Sequence, residues 1–340
     1  MSNISQRKKD HVDLTITNQT QYQMTSGFER FYFQHNALPE INFDEISTEA
    51  SLLNNSFSFP LFISSMTGGY TDAGPVNEIL SIFCEVNNIP FGVGSQRAML
   101  VDENQVNSFS IARKKAPNAF IAGNIGGVQL IKDWTIQHTR KLIDSIEANA
   151  LIVHLNPLQE LMQPEGDRSF LGVLQGIETL VKHAGIPIIV KETGAGISRY
   201  SAERLLNIGV QVIDVSGSGG TSWSKVENQR ATNKTPQHLF DEWGIPTVEC
   251  LRQISSIEWK EDFELIASGG IRSALDIGKA LCLGANFTAT AQPVIKAVIE
   301  NGYDGLESYY KSLVKDFKTL LLLLGCSSPH ELNRSHLLEK

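Results

Sequence analysis

The chain has 340 residues, 41% hydrophobic and 19% charged, a balance that suits one large core or two ordinary domains and excludes a disordered chain. Its formal net charge of -8 argues against broad electrostatic adhesion to nucleic acid or an anionic membrane, while leaving room for a small basic pocket. Cys84, Cys250, Cys282 and Cys326 show no CxxC spacing, so each reads as a core thiol in a reducing compartment. The first residues, MSNISQRKKDH, are polar with no apolar stretch behind them, and the longest apolar run, 320–324, is far too short to span a bilayer. The expectation is a cytoplasmic protein with no membrane and no nucleic-acid partner.

Residues 1–57 are polar apart from an aromatic patch at Phe28, Phe31, Tyr32 and Phe33, and are expected to form an N-terminal arm. Eight short runs rich in β-branched or aromatic residues follow at 57–64, 90–94, 119–124, 150–155, 186–192, 210–217, 263–270 and 285–291. Each is apolar on both alternating faces, as a strand must be when helices cover one side and packed side chains the other. Amphipathic helical patterns lie between them, at 75–88, 135–149 and 169–185 for example, the last stopping at Gly185. Eight βα repeats read most simply as a closed (β/α)8 TIM barrel over 58–340, an α/β fold. A doubly wound open sheet is the competitor, but MTGGYTDAG after the first run lacks its GxGxxG turn.

Barrel enzymes build their sites from the loops that follow the strands. Here those loops read SSMTGG (64–69), GSQRA (94–98), GNIGG (123–127), HLNPLQE (154–160), KETGAG (191–196), SGSGGTSW (216–223), SGGIRS (268–273) and TAQP (290–293). Turn chemistry alone explains glycine in one or two of them, not polar groups in all eight. SGGIRSALDIGKAL sets two glycines before a helix start, an arrangement that aims backbone N–H groups and the helix dipole at a phosphate, with Arg272 able to add charge. Lys191 at the end of the fifth run needs an anion or an electron-rich ring. Asn124, Ser216 and Thr221 could serve a planar cofactor or merely satisfy their own loops. HLNPLQE gathers His154, Asn156, Gln159 and Glu160, and Glu160 could bind a hard cation such as Mg²⁺. The polar stretch 222–235 after the sixth run is expected to be a lid or binding loop.

These motifs, with RKKDH at 7–11 and in this order, resemble the type 2 isopentenyl-diphosphate isomerases across essentially the whole chain. The resemblance implies FMN across the barrel mouth, contacted by Ser65, Met66, Thr67, Ser95, Asn124, Lys191, Ser216 and Thr221. Its phosphate would lie at Gly269, Gly270, Arg272, Ala291 and Gln292. Arg7, Lys8, Ser95, Gln96, Arg97 and Gln159 would contact a small diphosphate substrate, with His11 on the same closing arm, and Glu160 would hold Mg²⁺. One departure is Gln292, where related barrels often carry arginine. The implied reaction moves a C=C bond between isopentenyl and dimethylallyl diphosphate, in isoprenoid biosynthesis, on reduced FMN. Gln159 would position or relay a proton, with His154 and Asn156 ordering the site and NADPH as reductant. A homotetramer or homo-octamer is also implied. The apolar segment 308–325 could pack on a neighbouring subunit or be the barrel's last helix. A rival 2-hydroxy-acid oxidase would need a histidine base and an arginine where this chain has Ser218 and Thr221.

Overall fold

The computed structural model describes residues 3–231 and 238–340. Eight parallel strands close into a barrel. They are β1 (Leu61–Ile63), β2 (Phe91–Gly92), β3 (Ile121–Gly126), β4 (Ala150–Leu155), β5 (Ile188–Glu192), β6 (Val212–Asp214), β7 (Glu264–Ala267) and β8 (Phe287–Thr290). Neighbours in sequence are neighbours in the ring, and β8 closes on β1 with Thr288 beside Leu61. Each of the eight expected runs overlaps a barrel strand. Most are trimmed where the chain turns into loops, as at Val215 to Gly217 after β6, while β3 runs on two residues past its expected end.

Two apolar populations separate by strict alternation along the strands. Phe62, Ala122, Ala150, Ile152, Ile189, Val212, Ile266, Phe287 and Ala289 fill the barrel interior, and the residues between them pack outward under the helices. The bottom of the interior is stoppered by a hairpin, Ala50–Leu52 with Asn55–Phe57, whose tight turn holds Leu53 and Asn54 at φ 51° and 58°. Phe57 meets Phe120 and Phe287 edge-on at 5.6 and 5.7 Å, and Leu53 N–H donates to the Glu264 carboxylate at 2.8 Å. The segment 50–57 is therefore structural filling at the end of the barrel remote from the loops that carry the chemistry.

The expected helices appear with shifted ends, each for a local reason. The second runs Ile136–Ile146, because Glu147 adopts a left-handed conformation and Asn149 already pairs with β3. The third starts late, at Val173, after Gly172 at φ 94°. The C-terminal helix Gln292–Leu324 breaks at Asn301 and Gly302. Its second half lays Tyr310 and Phe317 edge-on against Phe59 at 5.7 and 5.4 Å, so the apolar face of 308–325 is used on the barrel itself. Phe31–Phe33 of the aromatic patch forms a strand paired with Leu337–Glu339, tying the two ends of the chain together. All four cysteines are free and buried. Among the described residues, no helix is long and apolar enough to cross a membrane.

Truncating Phe57 to alanine should cost about 3–5 kcal/mol, since it opens a void at the barrel bottom. Tyr32→Ala, at a half-exposed position, should stay within about 0.5 kcal/mol of the parent. Denaturant midpoints read both, and equal midpoints for the two variants would remove the hairpin from the core.

Candidate active site

The alternation that fills the barrel also selects the rim. Two residues beyond Ala122, Ile152, Ile189, Val212 and Ile266 on the same inward face come Asn124, His154, Lys191, Asp214 and Ser268. All five are polar, and they form one layer above the core. Within it, His154 Nδ1 lies 2.7 Å from Asn124 Oδ1 and Ser268 Oγ donates to Asp214 Oδ1 at 2.5 Å. Burial and the Lys191 and Lys8 charges pull the His154 imidazole down to about 3, so the ring is neutral. Nδ1 then carries the hydrogen donated to Asn124, and Nε2 presents its lone pair.

Above this layer sit two adjoining cavities that share Ser65, Met66, Lys191, Thr193 and Trp223. The first has two polar groupings in its wall. One is cationic: Arg7 and Lys8 come from the helix Asn3–Thr15, which lies across the mouth, and Arg97 from the loop after β2. Lys8 is half-buried, its ammonium donating to Gly68 O at 2.7 Å and Ser95 O at 2.5 Å. Burial, aided by Arg7 and Arg97, depresses it to about 7. Arg7 has the Glu165 carboxylate at 3.6 Å, but only cations, Arg7 and Arg97, act on Lys8, so this group of three can receive an anion.

The other centres on the short helix Pro157–Met162 after β4. Gln159 Oε1 accepts from Asn156 Nδ2 at 3.2 Å, and Gln159 Nε2 donates to Glu227 Oε1 at 3.1 Å. The same Glu227 oxygen receives His11 Nε2–H at 2.8 Å, and Arg230 pairs with the second oxygen. Burial would raise Glu227, but His11 and Arg230 together hold it below the usual carboxylate range. Glu160 accepts from Asn156 Nδ2 at 3.1 Å and from Asp167 N–H at 2.7 Å. Among the described residues, no three His, Cys, Asp or Glu side chains cluster as a metal site. A cation at Glu160 would thus draw its remaining ligands from water and a bound phosphate.

The second cavity is lined by loop backbone: Ser216, Gly217, Gly220 and Thr221 after β6, Gly269 to Arg272 after β7, and Ala291 and Gln292 after β8. Gly269 (φ 97°) has no room for a Cβ, which would fall 2.0 Å from Gly217 O, so the two loops touch backbone to backbone. Ser216 takes φ 39° with its N–H turned to Asp214 Oδ1. The phosphate-binding geometry differs in one respect from the sequence expectation. The helix Ala274–Cys282 caps itself, since Asp276 accepts from the N–H groups of Arg272 and Ser273. The helix at Gln292 has no side-chain cap, and its start opens on the cavity.

Of the expected site residues, Arg7, Lys8, His11, Ser65, Met66, Ser95, Arg97, Asn124, His154, Asn156, Gln159, Glu160 and Lys191 line the first cavity. Ser65, Met66, Lys191, Ser216, Thr221, Gly269, Gly270, Arg272, Ala291 and Gln292 line the second. Thr67 and Gln96 line neither. Thr67 spends its hydroxyl on Asn77, fixing its loop against the helix Ala73–Asn87. Gln96 is wedged behind β3, accepting from Asn124 N–H at 3.0 Å and donating to Leu142 O at 3.0 Å, so it orders Asn124 from outside the barrel. The stretch 222–235, read as a polar loop, holds the helix Trp223–Arg230, and 232–235 lie outside the described residues. Trp223, Glu227 and Arg230 on that helix went unread. Their i, i+4, i+7 spacing marks one face, but the face is polar and buried against another polar helix, so no apolar stripe announced it.

The family of FMN-dependent dehydrogenases matches residues 132–339. Isopentenyl-diphosphate delta-isomerase of Chlorobium limicola is 41% identical over 100% of this chain and 98% of its own. The protein of the same name from Nostoc sp. is 40% identical over 98% and 95%. Among solved structures, a mutant flavocytochrome b2 with sulfite bound superposes with a TM-score of 0.71 at 17% identity, covering 99% of this chain and 80% of that one. An (S)-mandelate dehydrogenase mutant gives 0.67 at 14%, covering 99% of each. At those identities the likeness shows the fold. With closed barrel, glycine-lined cavity and full-length identity in agreement, the chain belongs to the isopentenyl-diphosphate delta-isomerases built on the FMN-dependent dehydrogenase barrel.

Proposed function

We propose that this protein interconverts isopentenyl and dimethylallyl diphosphate. The observation that carries the reading is the meeting, in the lining of one cavity, of three cations (Arg7, Lys8, Arg97) with an amide–carboxylate group (Asn156, Gln159, Glu160) that Glu227 holds from behind through Gln159, next to a second, glycine-lined cavity. The second cavity fits FMN. Among the described residues, Ser65 Oγ, in the shared wall, is buried without a hydrogen-bond partner, the Lys191 ammonium donates to the backbone carbonyl of Glu192, and the helix start at Gln292 has no side-chain cap, as suits an anion. Ser65, Met66, Ser95, Asn124, Lys191, Ser216 and Thr221 would hold the ring and its side chain, with Gly269, Gly270, Arg272, Ala291 and Gln292 at the phosphate. When bound and reduced, FMN supplies an electron-rich face and a titratable ring nitrogen.

The isomerisation forms one C–H bond and breaks another two carbons away, with no net oxidation. The chain's own residues have three tasks. Arg7, Lys8 and Arg97 bind the diphosphate, with Mg²⁺ on Glu160 sharing its charge, and that binding energy orients the hydrocarbon tail. The helix Asn3–Thr15 and Trp223 close the mouth and keep water from a cationic reacting carbon. Gln159 stands between the Asn156 amide and the Glu227 carboxylate, so it can hold or pass a proton at its amide while Glu227 stays ionised. Neutral His154 is suited to binding and ordering rather than to acid catalysis. The hydroxy-acid oxidation of the structural neighbours finds no base here: Ser218 is buried outside both cavities, against the Met24 sulfur.

The test is a purified FMN-loaded protein assayed with isopentenyl diphosphate and Mg²⁺. Turnover should appear on reduction by NADPH or dithionite, without stoichiometric reductant consumption. Turnover in the oxidised, metal-free state would contradict the reading. In the same assay Gln159→Ala should lose about a hundredfold or more in kcat with flavin retained, and full activity would remove Gln159 from the proton path.

Lys8 supplies a pH signature. A lysine lowered from 10.5 to about 7 carries fewer protons in the folded than in the unfolded chain between those values, so burying its charge costs stability below pH 7 and the cost is gone above 10.5. A diphosphate reverses the shift. Binding of isopentenyl diphosphate to the oxidised protein at pH 8 should therefore take up a proton, seen by calorimetry in buffers of different ionisation enthalpy, and Lys8→Met should abolish the uptake. Buffer-independent heats in the parent protein would refute it.

A further inference from the structure

Glu192 follows Lys191 at the end of β5 and is 5% exposed. It lies next to the cavities, yet its carboxylate lines neither of them. One of its oxygens, Oε2, accepts the backbone N–H groups of the four residues that follow: Thr193 and Gly194 at 2.6 Å, Gly196 at 3.3 Å, and Ala195 between them. Successive N–H groups converging on one point form an anion-binding concavity of the kind that elsewhere holds phosphate. Here the chain fills it with its own carboxylate.

The loop so ordered is a hub. Lys191 and Thr193, on either side of Glu192, line both cavities. Gly194, at φ 141°, would drive a Cβ to 2.8 Å from Thr221 O, so this loop abuts the one after β6. Gly196 N–H donates to Ser216 O at 3.0 Å as well as to the carboxylate, and Ala195 O accepts from Ile245 N–H. Ser216 and Thr221, both on the wall of the second cavity, are therefore supported from behind by the backbone that Glu192 holds. The Lys191 ammonium also bonds the Glu192 carbonyl.

We propose that Glu192 is a positioning residue for the flavin crevice: an internal anion whose carboxylate sets the loop 193–196 and, through it, Lys191, Thr193, Ser216 and Thr221. The inference rests on the FMN reading above and concerns flavin binding; the cations read as the diphosphate site, Arg7, Lys8 and Arg97, lie on other segments of the chain. Glu192 also lines a groove on the outer side of the loop, with Leu158, Phe240 and Trp243, so a small anion can reach the same spot from solvent.

The test is FMN affinity, read by quenching of flavin fluorescence, in the full chain and in Glu192→Ala. Removing the carboxylate leaves several buried N–H groups without an acceptor and should weaken FMN about tenfold or more. Formate, which fits the vacated concavity, should recover about threefold or more of that loss where chloride at equal ionic strength does not. At saturating FMN the KM for isopentenyl diphosphate should stay within about twofold of the parent. An unchanged FMN affinity, or a loss that formate and chloride treat alike, overturns the proposal. Should Glu192→Ala fail to fold, Glu192→Asp retracts the carboxylate by one methylene and should still weaken FMN; an affinity equal to the parent's then overturns it. Failure of the parent protein to bind FMN would instead overturn the functional reading itself.

Discussion

Closing eight parallel strands into a ring leaves each side chain two directions, inward or outward, and the choice alternates without exception until the strand ends. In this protein the inward positions are apolar for as long as they face one another across the interior, and turn polar at the layer where the strands stop. Asn124, His154, Lys191, Asp214 and Ser268 owe their convergence to that parity alone. A one-residue slip in any strand would bury its polar group under the outer helices. The site is thus a boundary of the core, and its geometry is as fixed as the core is.

Such a boundary must hold charge where water is scarce, and three devices manage it. Acceptors drawn from the backbone meet Lys8 and Lys191. Backbone N–H groups meet Glu192, whose carboxyl burial still pushes up to about 7 against those donors. Opposite charges meet Glu227. What separates Lys8 from Lys191 is the charge around it: Lys8 has Gly68 O and Ser95 O as acceptors and the cations Arg7 and Arg97 nearby, whereas Lys191 has the carboxylates of Glu192 and Asp214 close to it. A buried ammonium without a counter-ion is costly, and on the proposed reading an incoming diphosphate would remove the cost. The same helix links the two groups of side chains, because His11, one turn beyond Arg7 and Lys8, donates to the carboxylate that orients Gln159; on the proposed reading it would couple binding to chemistry.

Strand parity and glycine-rich strand ends are local signals, so the barrel and most of its rim were legible in the sequence. The parts that escaped were non-local. Thr67 and Gln96 sit in motifs of the right type, yet the neighbouring helices supply better partners in Asn77 and Leu142, and nothing within GSQRA indicates which way Gln96 turns. Glu227 lies in a stretch with no apolar periodicity, since its helix packs through charge and hydrogen bonds. Glu192 stands beside the conspicuous Lys191, and only the three-dimensional course of the loop shows four N–H groups closing on one oxygen. The hairpin at 50–57 belongs to the same class: an arm by composition, a stopper by packing.

On the proposed function, one crevice holds a flavin phosphate and a substrate diphosphate by different groups. A crystal structure of the protein with FMN and isopentenyl diphosphate addresses this directly. It should show the flavin phosphate within hydrogen-bonding distance of the backbone at Gly269, Gly270 and Gln292, and the diphosphate against Arg7, Lys8 and Arg97 with the helix Asn3–Thr15 in place. A flavin phosphate bound away from those glycines, or a diphosphate that leaves Lys8 on its two carbonyls, would contradict it.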